Sequence, residues 1–145
     1  MRFHESVHDI YFDDLDIFGI LHNARYLLLF ERTIGSFWRH IGYHDHKGTP
    51  ATDDDDHQHY VRLNQVEYLR PVVGVGQVRV RVWVEKLGRT SLTFGLRMLA
   101  MDADEEYAKG SRVVVRVDPS TRKPEPWSDH CRVKLAPFIH SSSLD

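Results

Sequence analysis

Between Tyr26 and Ile41 the apolar residues fall at Tyr26, Leu27, Phe30, Ile34, Phe37, Trp38 and Ile41, the three- and four-residue spacing of an α-helix. Leu28 and Leu29 widen that stripe beyond what a one-sided surface helix uses. The rest of the chain therefore has to cover most of the helix's girth. Drawn from Asn23 to Ile41, the helix is about 28 Å long at ~1.5 Å per residue, enough to cross a small domain. Gly42 is suited to stop it as a C′ residue, and either His22 or Asn23 can start it, with Asn23 intrinsically the better N-cap. Just upstream lie two carboxylates, Asp14 and Asp16, and a turn at Gly19. An acidic turn thus precedes the N-terminus of a buried helix.

The remaining segments supply that cover. His4–Asp13 reads as a first strand. Tyr43–His57 carries almost no apolar residues and reads as a loop, after which the period changes to two. Tyr60–Arg70 is strand-like, with a change of phase near Gln65 that suggests a bulge. In Gln77–Leu87, Val78, Val80, Val82 and Val84 alternate with Arg79, Arg81, Trp83 and Glu85. Leu92–Ala100 and Tyr107–Val117 continue the alternation across turns, and Ser128–Phe138 suits a short terminal helix. One apolar helix followed by meandering strands implies an α+β fold with an antiparallel sheet packed on the helix. Charges beside Trp83 mark the other sheet face as partly solvated.

Bulk properties narrow the function. A chain of 145 residues suits one domain, drawn here as 1–140 with 141–145 as a disordered tail. A net charge of −2 offers no basic field for nucleic acid or an anionic membrane. The opening MRFHESVHD lacks an apolar signal core, and no run approaches the ~20 apolar residues of a membrane span. Cys131 is the only cysteine, so no internal disulfide forms, which favours a reducing, cytoplasmic setting.

At this point the residues resemble the hot-dog fold thioesterases, in particular the 4-hydroxybenzoyl-CoA thioesterase-like branch. The likeness rests on Asp14-x-Asp16-x-x-Gly19, His22-Asn23, Tyr26 and Phe30-Glu31-Arg32. It continues through Tyr68-x-Arg70-Pro71 and Gly88-Arg89-Thr90-Ser91, and so covers roughly residues 5–117. The resemblance implies a long central helix wrapped by a five- or six-stranded antiparallel sheet, in a homodimer or homotetramer. It implies hydrolysis of an acyl-CoA or acyl-carrier-protein thioester without metal or cofactor. Asp16 falls on the family's catalytic aspartate, and Asn23 on the helix-start residue whose backbone N–H faces the thioester carbonyl. Gly19 and Tyr26 fall on the substrate-binding side. Ile20 stands where many relatives have a histidine, as does Asn23 where others do.

Chemistry weighs each candidate. A carboxylate at Asp16 serves either as nucleophile, giving an acyl anhydride, or as general base toward water. Its bland role is to hold a turn, which is the expected role of Asp14. The unpaired N–H groups at Asn23 suit a developing oxyanion. His22 either touches substrate or serves as a plain turn histidine. Arg89, Thr90 and Ser91 could hold CoA phosphates, because guanidinium forks match phosphate oxygens. Glu31, inside the apolar helix, calls for a partner such as Arg32 or a loop group. His44, His46, His57 and His59 around Asp53–Asp56 lack a recognised metal-ligand spacing and read as a solvated loop. Cys131 has no base in view. The competing functions are a hot-dog dehydratase, which needs His22 as base, and a non-catalytic acyl-binding module, which does not need Asp16.

Overall fold

A computed structural model describes residues 2–43 and 56–140. His44, His46 and Asp53–Asp55 of the acidic loop, and the tail 141–145, lie outside them. Five strands form one antiparallel sheet: β1 (His4–Ile10), β2 (His59–Tyr68), β3 (Gly76–Leu87), β4 (Ser91–Leu99) and β5 (Glu106–Arg116). Their order across the sheet is β1-β3-β4-β5-β2, so β1 and β2 are the edges. The long helix α1 (Asn23–His40) lies on one face, and a short helix α2 (Asp129–Leu135) closes the chain. This is the α+β arrangement expected.

The core is the surface between α1 and the sheet. Tyr26, Leu29, Phe30, Ile34, Phe37 and Trp38 of α1 are buried. They meet Val78, Val80, Val82 and Val84 of β3 and Leu92, Phe94, Leu96 and Met98 of β4. At ~1.5–3 kcal/mol for each fully buried large apolar side chain, this layer is the main source of stability. Phe30 comes down where β5 has Gly110. A Cβ there would sit 2.9 Å from the Phe30 ring and 2.4 Å from the Gln65 carbonyl, so only glycine lets helix and edge strand close. On the far face, Arg81 pairs with Glu5 and Asp104, and Trp83 stacks on His140.

Three local expectations change. The first strand ends at Ile10 rather than Asp13, because Phe12–Asp14 forms a 3-10 turn in which the Asp14 carboxylate accepts the Tyr11 N–H at 2.8 Å. The bulge in β2 lies between Val61 and Leu63, not at Gln65, so the phase changes where Val61 faces Val114 and Leu63 faces Val113. The N-cap of α1 is His22, not Asn23. His22 is extended at φ −61° and ψ 133°, and its Nδ1 accepts the Ala24 N–H at 3.1 Å. Asn23 is already the first helical residue. At the other end Tyr43 N–H bonds Trp38 O and Gly42 N–H bonds Arg39 O, with Gly42 at φ 106°, a complete Schellman stop.

Polar contacts join β1 to the helix. The Thr33 hydroxyl donates to Leu29 O at 3.0 Å, which leaves it to accept from His8 Nε2 at 2.7 Å. His4 Nε2 hydrogen-bonds Ser36 Oγ at 2.9 Å, and its ring stacks on His40.

Two predictions follow from these helix contacts. His22→Ala should cost about 1 kcal/mol through the lost cap, while Asn23→Ala, at a helical position without a cap bond, should be neutral or slightly stabilising; urea midpoints of the two variants decide it. Burial holds both His4 and His8 below the ordinary histidine value, helped by His40 and Arg39 beside His4 and by Arg32 beside His8, with Asp9 opposing at His8. The unfolded chain therefore binds more protons than the folded one below about pH 6.5, and this part of the stability falls on acidification. A His4→Gln, His8→Gln variant should lose less stability than the parent between about pH 7.5 and 5.5. Equal losses would remove the two rings from the explanation.

Candidate active site

The site is built on the turn before α1. Asp16 O accepts the Gly19 N–H at 3.0 Å, and Asp16 N–H bonds Ile20 O at 2.8 Å. Gly19 sits at φ 75°, so 16–20 forms a three-residue hairpin loop that ends in a left-handed glycine. Leu15 and Leu21 pair across it. Ile20 pairs with Val73, Leu21 N–H bonds Val72 O, and Gly74 N–H bonds Gly19 O. The turn is thereby tied to the segment entering β3.

These ties aim Asp16. Its Oδ1 accepts the Phe18 N–H at 2.8 Å and the Ile20 N–H at 3.4 Å. No bond to Oδ2 occurs among the described residues, so one oxygen orients the carboxylate and the other is available. Asp16 is half-buried between two cavities. One, of about 290 Å³, is lined by Asp16, Asn23, Tyr26, Tyr68 and Leu69. The other, of about 680 Å³, is bounded by Asp16, Gly19, His22 and the exposed Phe12, Ile17 and Phe18. Asp14 takes no part in either: it accepts the Tyr11 N–H and faces Arg25 Nε at 3.6 Å. The upstream carboxylate is thus engaged in local turn contacts.

The first cavity brings together a carboxylate, a helix start and an apolar wall. Among the described residues no acceptor meets the Asn23 N–H, whereas the next amide, Ala24, is taken by His22. Tyr26 is buried, and its ring stands edge-on to Tyr68 with centroids 4.8 Å apart. Burial raises the Tyr26 phenol above its ordinary value, offset in part by its hydrogen bond to the Val72 backbone. Tyr68 donates to Asn23 O at 2.9 Å. The sequence marks Tyr68 only as part of a weak motif. Its contact spans 45 residues, and no local pattern encodes it.

Other candidates lie elsewhere. Arg89, Thr90 and Ser91 are at the β3–β4 turn, where their carbonyls are held by Trp127, Arg116 and Arg132. Trp127 stacks on Trp38, with centroids 6.3 Å apart, so this hairpin is at the C-terminal end of α1. Trp38 is roughly 22 Å along the helix from Asn23. One chain therefore does not bring Arg89, Thr90 and Ser91 to Asp16. Among the described residues Glu31 pairs with neither Arg32 nor a loop group. It is exposed and faces Arg112 of β5 at 3.4 Å, which gives that buried arginine its counter-charge. His59 is covered by Trp38 and Trp127, and burial lowers its imidazole below the ordinary value. Among the described residues no three acidic, histidine or cysteine side chains converge as a metal site. Cys131 is buried and free; burial pushes its thiol up to about 11.

The Thioesterase-like superfamily model matches residues 10–135. No curated protein matches. Among solved structures, the PA5185 protein of Pseudomonas aeruginosa superposes with a TM-score of 0.82 at 22% identity, covering 97% of this chain and 93% of its own. A thioesterase of Thermus thermophilus, solved with coenzyme A and Zn, gives 0.76 at 26% identity, over 93% and 92% of the two chains. A 1,4-dihydroxy-2-naphthoyl-CoA thioesterase of Synechocystis gives 0.78 at 10% identity, over 96% and 99%. With the match running from the end of β1 through the acidic turn, α1 and strands β2 to β5, the chain belongs to the thioesterase-like superfamily and is a hot-dog thioester hydrolase.

Proposed function

We propose that this chain hydrolyses an acyl-CoA thioester at the cavity shared by Asp16 and the start of α1. The observation that carries the reading is that an oriented carboxylate and Asn23, whose N–H meets no acceptor among the described residues, line one cavity. The thioester carbonyl oxygen points at the Asn23 N–H, where the helix start stabilises negative charge. Asp16 then acts in one of two ways. As nucleophile it attacks the carbonyl carbon and expels the thiolate, leaving an anhydride that water opens. As base it takes a proton from the attacking water. Both routes release the free acid and the thiol. Tyr26, Tyr68 and Leu69 supply an apolar wall for the acyl group. Coenzyme A is preferred over a carrier protein because the Thermus thermophilus relative was solved with coenzyme A. A dehydratase would need His22 as base, yet its Nδ1 is occupied as the cap acceptor. The free thiol of Cys131 agrees with a reducing, cytoplasmic location.

The active form is a homo-oligomer. Trp83, on the sheet face away from α1, is half-buried under His140. The uncovered surface is instead at the site: Ile17 is 93% exposed, Phe12 85%, Phe18 80% and Val73 75%. With Tyr11 and Val75 these present on the order of 800 Å², comparable to one side of a standard interface and more than a typical monomer leaves open. The edge strand β2 adds exposed Tyr60, Val61 and Leu63. A second copy covers these surfaces, and Arg89, Thr90 and Ser91 could then serve a site only across subunits.

The chemistry is tested with a panel of acyl-CoA substrates and detection of the released thiol. Asp16→Asn should lower kcat by roughly 10²–10⁴-fold with an unchanged circular dichroism spectrum. Asn23→Pro removes the N–H at a position where proline is tolerated and His22 is already extended. It should lower kcat by about 10²–10³-fold while Asn23→Ala stays near the parent. Near-parental turnover by Asp16→Asn would reject the assignment. Light scattering at micromolar concentration should give at least twice the 17.0 kDa chain mass, and a single monomeric species would reject the assembly.

A further inference from the structure

The peptide unit that joins Asn23 to Ala24 is held from both ends. Its N–H donates to His22 Nδ1 at 3.1 Å, and its C=O accepts from the Tyr68 hydroxyl at 2.9 Å. The preceding unit is held as well: His22 O accepts the Arg25 N–H at 2.9 Å. What remains of the first turn is the Asn23 N–H, unmet among the described residues. A carbonyl has two lone pairs, so the Tyr68 contact adds to the ordinary helical acceptance at Asn23 O. Tyr68 is the last residue of β2, and its ring is set by the edge-on contact with the buried Tyr26. Tyr26 lies one turn along α1 from Asn23 and fixes the ring that fixes the helix start.

We propose that Tyr68 is a positioning residue for catalysis: with His22 as the opposite jaw, its hydroxyl clamps the Asn23–Ala24 peptide and so aims the Asn23 N–H at the thioester oxygen. The proposal rests on the reading of that N–H as the oxyanion donor. First turns of helices fray, because their amides lack intrahelical partners. An oxyanion donor is effective only when its direction is set before reaction, and small misplacements are kinetically costly. The clamp supplies that rigidity from a strand 45 residues away, with no contact between the Tyr68 hydroxyl and the reacting atoms required.

Tyr68→Phe tests it, since the variant deletes the hydroxyl and keeps the ring against Tyr26. Expected are a kcat about tenfold lower, the worth of roughly one neutral hydrogen bond, and a KM within about twofold of the parent. Backbone amide exchange at Ala24 should quicken in the same variant. In His22→Ala the kcat also falls, and the double variant should lose less than the product of the single losses, because both side chains act on one peptide. A parental kcat in Tyr68→Phe, or single losses that multiply, would overturn the clamp. A parent chain that hydrolyses no thioester would instead overturn the reading of the site on which the clamp rests, so the two failures are told apart.

Discussion

Everything in this structure depends on the burial of one helix against one sheet face. Phe30, Ile34, Phe37 and Trp38 leave water on the helix side, and the even-numbered valines of β3 leave it on the sheet side. The contact is close enough that Gly110 has no room for a side chain. That seating fixes where α1 begins, and the candidate site is built at the beginning of α1. A helix free to shift along the sheet would move Asn23 relative to Asp16 and Tyr68 together. The apolar layer thus acts as the rigid scaffold that holds the turn and cap residues of the candidate site in one geometry.

The two ends of the helix are finished differently. The C-terminal end is closed by a Schellman stop and by a layer of Trp38, Tyr43, His59 and Trp127, with α2 behind it. Arg132 of α2 donates to the carbonyls of Gly88 and Arg89, so the β3–β4 hairpin belongs to this closed end. The N-terminal end is left open. Its turn is held by backbone bonds to 72–74, while its large side chains project outward. Openness there suits the site proposed above, which has to admit a thioester.

Two buried polar side chains between helix and sheet, Arg112 and Thr33, are paired. Arg112 is buried and answers to Asn64 at 2.8 Å and to Glu31. Thr33 is buried and spends its hydroxyl on Leu29 O and His8. Each such pairing offsets the cost of removing the group from water without adding much net stability. Their effect is to specify how β1 and β5 sit against the helix.

Most of the scaffold was legible in the chain itself. Helical spacing from Tyr26, the stop at Gly42, the turn at Gly19 and the alternating valines of β3 are set within three or four residues, where backbone geometry and side-chain period act directly. The motif order Asp16, Gly19, Asn23 and Tyr26 likewise falls on one turn and helix start, because the two are contiguous in the chain. The tertiary structure decided what depends on distant partners. The cap passed from Asn23 to His22 because the turn at 16–21, tied to 72–74, leads into an extended His22. Glu31 found Arg112 rather than Arg32, since adjacent residues on a helix point in different directions. Tyr68 reached Asn23, and Arg89 ended at the far end of α1, because strand order and pairing decide which ends meet. Periodicity records which face of a strand is buried; it does not record which strand lies beside it.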